Sequence, residues 1–259
     1  MPFYEGIYYE IYGTGKPLVL TNGIMMSTKS WEWHIENLSK YFTVIVFDFL
    51  DQGKSKNLNQ SLSIGDQVNA MYNLLNFLNF EKYNIVGLSY GGQVTLKLAI
   101  NFPELIEKLI LSNVVPKVNN FLKAIGNIWE YTTEISDGEL FYTLSLPFIY
   151  GKSFYIEHLD FLESRKNFFK KSLTKEWFSS LKRLINSNQY FDVSNEISKI
   201  CNPTLLIAAS EDVITPFQDM LKMKEKIKNS ELICVEGAGH GLFYEKMELW
   251  TSLIIGFLI

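Results

Sequence analysis

The sequence predicts an α/β protein, a mostly parallel sheet with helices on both faces and one helical insertion. Three observations carry this. Short β-branched runs alternate with amphipathic stretches along most of the chain, and strands separated by helices imply parallel neighbours. The alternation stops once, in an aromatic-rich stretch, and then resumes. Finally, 259 residues with 47% hydrophobic content are enough to bury a substantial core.

The elements follow in order. Residues 18–20 read as an apolar strand, followed by a glycine-containing turn, a helix over about 31–41 and a second strand over 43–47. Ile64, Val68, Met71, Leu75 and Leu78 recur at helical spacing and mark an amphipathic helix. A short strand over 83–88, a helix over about 91–101 and a strand over 108–112 continue the pattern. Between roughly 115 and 200 aromatic-rich helical segments dominate, among them Phe121, Trp129, Phe141, Tyr142, Phe168, Trp177 and Phe178. A strand over 204–208, a helix from Phe217, a strand over 231–235 and a C-terminal helix then complete the sheet. The expected organisation is a core of residues 1–114 and 201–259, with residues 115–200 as a helical lid over the sheet's C-terminal edge.

Composition excludes several classes of function. A net charge of −4 without a basic stripe gives no nucleic-acid footprint, so small molecules are the expected partners. The N-terminal residues show no cationic leader before an apolar core, and no apolar run approaches a membrane span; a soluble, cytoplasmic protein is the expectation. The apolar C-terminus continues the helical pattern of Phe243, Met247, Trp250, Ile254 and Phe257 and is read as a core-facing helix. Cys201 and Cys234 lack ligand spacing or neighbouring cysteines, so buried thiols are expected rather than a metal site or disulfide framework. Oligomeric state is not encoded legibly.

One pentapeptide carries the chemistry. Gly87-Leu88-Ser89-Tyr90-Gly91 follows a strand and opens a helix. Small residues two before and two after the serine permit a sharp turn that lifts its hydroxyl into the open. The turn also sets Ser89 at a helix N-terminus, where free amides favour developing negative charge. A serine hydroxyl is a weak nucleophile and needs a base. Of His34, His158 and His240, only His240 sits in a flexible glycine-rich turn, residues 237–241, directly after a strand; His34 and His158 read as ordinary surface or lid residues. The base in turn needs a carboxylate from another strand end, and residues 208–216 offer two, Glu211 and Asp212. Negative charge on a tetrahedral intermediate needs amide donors. Tyr90 supplies one, and Ile24 or Met25, in the loop after the first predicted strand, supplies the other.

Taken together, these segments resemble the α/β-hydrolase superfamily across essentially the whole chain, in particular its small lidded members: enol-lactone hydrolases, C–C bond hydrolases and simple carboxylesterases. Residues 86–92 resemble the nucleophile elbow, and residues 239–245 the histidine loop. Residues 209–216 resemble the acid loop, whose register selects Asp212. Residues 20–23 resemble the oxyanion segment, with Asn22 in place of the usual histidine. Residues 48–55 are similar to a D-x-R-G-x-G-x-S loop, but Leu50 and Asp51 stand where arginine and glycine are usual.

The resemblance implies acyl transfer to water, with Ser89 as nucleophile, His240 as base, Asp212 as its orienting acid, and neither metal nor organic cofactor required. Aromatic wealth in the lid suggests a small to medium apolar acyl ester or lactone. A thioesterase or acyltransferase working on an acyl carrier would use the same triad, and a ligand-binding receptor on the same fold is the non-enzyme alternative. Arg165 and Arg183 are the lid residues able to recognise a carboxylate, or else solvated helix-face charges.

Overall fold

The computed structural model describes residues 2–259. Two strands the sequence reading lacked come first, β1 (Phe3–Tyr4) and β2 (Ile7–Tyr12), both antiparallel to their neighbours. β3 (Lys16–Thr21) leads through a 3₁₀ turn (Thr28–Trp31) into α1 (Glu32–Leu38) and β4 (Phe42–Phe47). The helix expected over 31–41 is therefore shorter and starts as a tighter turn. α2 (Ile64–Leu78) begins at a Ser63 cap, whose hydroxyl accepts from the Asp66 N–H while the Asp66 carboxylate accepts from the Ser63 N–H. β5 (Tyr83–Leu88), α3 (Ser89–Asn101) and β6 (Ile106–Ser112) follow.

Five helices then stand between β6 and the next strand: α4 (Asn120–Ile135), α5 (Gly138–Ile149), α6 (Lys152–Glu157), α7 (Leu159–Ser172) and α8 (Lys175–Asn188). β7 (Thr204–Ala209), α9 (Phe217–Lys226), β8 (Ser230–Val235), α10 (Leu242–Glu245) and α11 (Met247–Leu258) close the chain. The single C-terminal helix of the sequence reading is thus broken, at Lys246 (φ −132°, ψ 52°).

The sheet order is β1-β2-β4-β3-β5-β6-β7-β8, parallel from β4 onward. Its central strands β3, β4, β5, β6 and β7 are largely buried on both faces, which is why they read as near-continuous apolar runs. Alternate side chains feed two cores. Val19, Ile45, Ile85, Leu109 and Leu206 pack with Met71 and Leu75 of α2, Val94 of α3 and Met220 of α9. Leu18, Leu20, Val44, Val86 and Ile207 pack with Leu38 of α1 and Trp250 and Ile254 of α11. The apolar C-terminus is therefore core-facing, and among the described residues no helix is long and apolar enough to cross a membrane. The chain turns outward from β3 to β4 and then returns to place β5 on β3's other side. That reversal is the topological switch point at which open α/β sheets bind ligands.

Two expectations about single residues fail. Cys201 is exposed and Cys234 only partly covered; the first lies in the connection before β7, and the second on β8, an edge strand with one open side. His34 is not a surface residue but 2% exposed, wedged between Trp31, Phe243 and Trp250. Its ring meets the Thr251 hydroxyl at 2.9 Å and the Phe243 carbonyl at 3.0 Å. Burial pushes its imidazole down to about 4, against the pull of that carbonyl.

Candidate active site

At the C-terminal end of β5 the chain must reverse into α3 within one residue, and Ser89 takes the strain, with φ +50°. Glycines make the turn possible. A Cβ on Gly91 would lie 2.5 Å from Thr21 Oγ1 and 2.6 Å from the Asn22 carbonyl, and one on Gly92 would lie 2.1 Å from Val114 Cγ2. The Gly91 N–H donates to that Asn22 carbonyl at 3.0 Å, which ties the elbow to the loop after β3.

His240 follows β8 in a turn that ends at α10, and its Nε2 lies 2.8 Å from Ser89 Oγ. Its Nδ1 lies 2.9 Å from Asp212 Oδ2. Of the two candidate acids it is Asp212 that reaches His240. Glu211 turns away and accepts from the Ser153 N–H at 2.9 Å and the Ser153 hydroxyl at 2.6 Å, on α6. Glu245, five residues beyond His240, accepts from the N–H groups of Gly239 and Gly151, so the histidine turn is fastened to the start of α6. Burial raises the Glu245 carboxyl, and those two amides pull it back only in part.

Asp212 is held by residues the sequence reading did not single out. Its Oδ1 accepts from the N–H groups of Ile214 and Thr215, each at 2.8 Å. Its Oδ2 accepts from the Asn113 amide at 2.8 Å and from the Thr215 hydroxyl. Burial alone would raise this carboxyl; the charge and hydrogen bond of His240, with Asn113 and Thr215, outweigh it and hold the group at about 2. Asn113 stands just past the end of β6 and takes φ +53°.

The loop after β3 runs beside the serine; a Cβ on Gly23 would lie 3.7 Å from Ser89 Cβ. Ile24 and Met25 sit in this loop, while Tyr90 lies in the first turn of α3, where N–H groups have no carbonyl four residues back. Asn22, where histidine is usual, is buried scaffolding: it accepts from Trp31 Nε1 at 2.7 Å and donates to the Phe47 carbonyl at 3.0 Å. Gln52, also unforeseen, donates to the carbonyls of Gly23 and Ile24 at 2.9 and 3.1 Å.

The helices between β6 and β7 pack against these loops. Ile125, Trp129, Phe141, Phe178 and Leu181 form one apolar cluster with Ile214 of the acid loop, and Ile24 and Met25 pack against it. A cavity of about 50 Å³ borders Ile24 and is lined by Val118, Leu122, Trp129 and Ile185. A second hollow, about 250 Å³, lies between the N-terminal strands and α2, lined by Tyr4, Leu58 and Asp66. Arg183, with its side chain 21% exposed, is paired rather than free for a substrate: its Nε and Nη2 each meet the Asp51 carboxylate at 2.8 Å. Arg165 lies among the rings of Phe161, Phe169 and Tyr244, within 3.1 Å of the Tyr244 hydroxyl. Among the described residues no group of three His, Cys, Asp or Glu side chains could hold a metal ion.

Fold and site together define an enzyme class. The model of the alpha/beta hydrolase fold matches residues 16–247, and the chain belongs to that family of enzymes. An alpha/beta hydrolase enzyme, MGS-M2, from a Medee basin deep-sea metagenome library has a solved structure that superimposes with a TM-score of 0.94 at 36% identity, covering 97% of this chain and 93% of the other. The enol-lactonase of Burkholderia xenovorans LB400 shares the fold at a TM-score of 0.85 and 20% identity, covering 97% and 96% of the two chains. RutD of Serratia proteamaculans (strain 568), a protein named for carbamate hydrolysis, is 23% identical over 98% of this chain and 96% of its own length.

Proposed function

We propose that this protein is a serine hydrolase that cleaves a small to medium apolar acyl ester or lactone through an acyl-enzyme on Ser89. The observation that carries the reading is the unbroken chain from Ser89 Oγ through His240 to Asp212, at 2.8 and 2.9 Å. Ser89 Oγ attacks the substrate carbonyl as its proton passes to His240 Nε2. Asp212, kept ionised, orients the ring through Nδ1 and stabilises the imidazolium. The N–H groups of Tyr90 and Ile24, with Met25 as the alternative to Ile24, receive the charge on the carbonyl oxygen. His240 then returns the proton to the departing alkoxide. Water attacks the acyl-enzyme by the same route in reverse, releasing the acid and Ser89.

The helices within residues 115–200 act in this reading as a lid on a core of residues 1–114 and 201–259. The apolar cluster on Ile24, Met25 and Ile214 favours an uncharged acyl group. Lactones and carbamates, named for the relatives, present the same carbonyl to the same serine.

A panel of p-nitrophenyl esters from acetyl to dodecanoyl, run beside acyl thioesters and a carbamate, tests the reading. A pre-steady-state burst of p-nitrophenol on the short acyl esters, absent in Ser89→Ala, is expected. Turnover in Ser89→Ala equal to that of the wild type would refute it.

A further inference from the structure

The loop bearing Gln52 links two parts of the molecule that the acyl-transfer reading treats separately. In a trans peptide the carbonyl and the following N–H point in opposite directions, and the described residues contain no cis bond. Gln52 Nε2 donates to Gly23 O at 2.9 Å and to Ile24 O at 3.1 Å. Those two carbonyls belong to the peptide planes that carry the N–H groups of Ile24 and Met25. By holding both carbonyls on one side, Gln52 turns both N–H groups to the other. Successive N–H groups turned one way form a concavity suited to an anion. Neither N–H is used in a backbone hydrogen bond among the described residues.

Gln52 itself is fixed. It is 4% exposed, its Oε1 accepts from Asn22 Nδ2 at 3.2 Å, and its own N–H donates to the Phe49 carbonyl at 2.9 Å. The preceding residue, Asp51, has φ +66°, a conformation that favours glycine. An aspartate there lets the loop form a fork with Arg183 of α8, through Nε to Oδ2 and Nη2 to Oδ1, each at 2.8 Å. Asp51 is fully buried in this pair, and its Oδ1 also accepts from the Leu58 N–H at 2.7 Å. The helical segment thus grips the residue next to the one that sets the amide planes.

We infer that Gln52 is the positioning residue for the oxyanion donors, and that Arg183, through Asp51, couples their alignment to the seating of α8. The inference rests on the acyl-transfer reading above. The test compares an oxoester with its thionoester, because sulfur accepts hydrogen bonds poorly and the amide donors are what favour oxygen. In Gln52→Met, kcat on the oxoester should fall by about a hundredfold with little change in KM. The oxo-to-thiono rate ratio should fall by about tenfold, a change that a general loss of structure would not produce. Arg183→Gln, at the surface of α8, should shift the ratio the same way by several-fold. Thermal unfolding and the stoichiometry of Ser89 labelling establish that each variant is folded. If Gln52→Met does not fold, Arg183→Gln alone decides. A wild-type ratio in every folded variant overturns the inference, whether or not rates fall. Absence of Ser89-dependent esterase activity in the wild type instead refutes the reading beneath it.

Discussion

Asn113 donates its amide to the same Asp212 oxygen that faces His240, at 2.8 Å against 2.9 Å for the imidazole. The acid is therefore clamped from β6 as well as from its own loop, and its charge is compensated before any substrate arrives.

This clamp separates the two neighbouring acids. Asp212→Asn removes the charge opposite His240 and offers a donor where an acceptor is needed, so kcat should fall by about 10⁴. Glu211→Gln keeps an acceptor for Ser153 and should cost less than about tenfold. Steady-state kinetics on one short ester distinguish them; a larger loss in Glu211→Gln would reassign the acid.

The same clamp fixes an acid limit to stability. The Asp212 carboxyl is held at about 2 in the folded protein against an ordinary 3.8. A lowered folded value means stabilisation that is present above pH 3.8 and is lost as pH falls toward 2. Urea unfolding from pH 6 down to about pH 2.5 should show a slope that flattens in Asn113→Ala, because that variant loses one of the donors. An unchanged slope would show that Asn113 does not help to lower the group.

Strain at Ser89 gives a third test. Only glycine adopts φ +50° without a Cβ penalty. Both Ser89→Ala and Ser89→Gly should abolish hydrolysis, but Ser89→Gly should be the more stable of the two by roughly 0.5–1 kcal/mol. Differential scanning calorimetry of the pair reads this directly, and a more stable alanine variant would argue against strain in the elbow.

Arg183 is committed to Asp51 and Arg165 to an aromatic nest. Arg183→Ala should therefore slow carboxylated and neutral esters by the same factor, within about threefold of one another. Selective loss of carboxylated substrates would instead place Arg183 on the substrate.

Much of the fold could be read from the chain because its signals are local. Continuous apolar strands, the spacing of Ile64, Val68, Met71 and Leu75, and the small residues around Ser89 each depend on a few neighbours. β2 was not legible, since Ile7–Tyr12 is half exposed at the sheet's antiparallel side and alternates poorly. His34 was misread because its partner Thr251 lies 217 residues away. Arg183 finds Asp51 across 132 residues, and only folding reveals that the departure at Asp51 has a partner. Gln52, Asn113 and Thr215 are residue types common anywhere; their roles come from the loops that converge on the switch point between β3 and β5.

The reactivity of the Ser89 hydroxyl distinguishes a nucleophile from an ordinary helix-terminal serine. Incubation with a fluorophosphonate, followed by peptide mass mapping, should place a single phosphonyl adduct on Ser89 in the wild type. Ser89→Ala should carry none, and His240→Ala should label far more slowly. An unlabelled wild type, or an adduct that persists in Ser89→Ala, would contradict the assignment of Ser89 as the nucleophile.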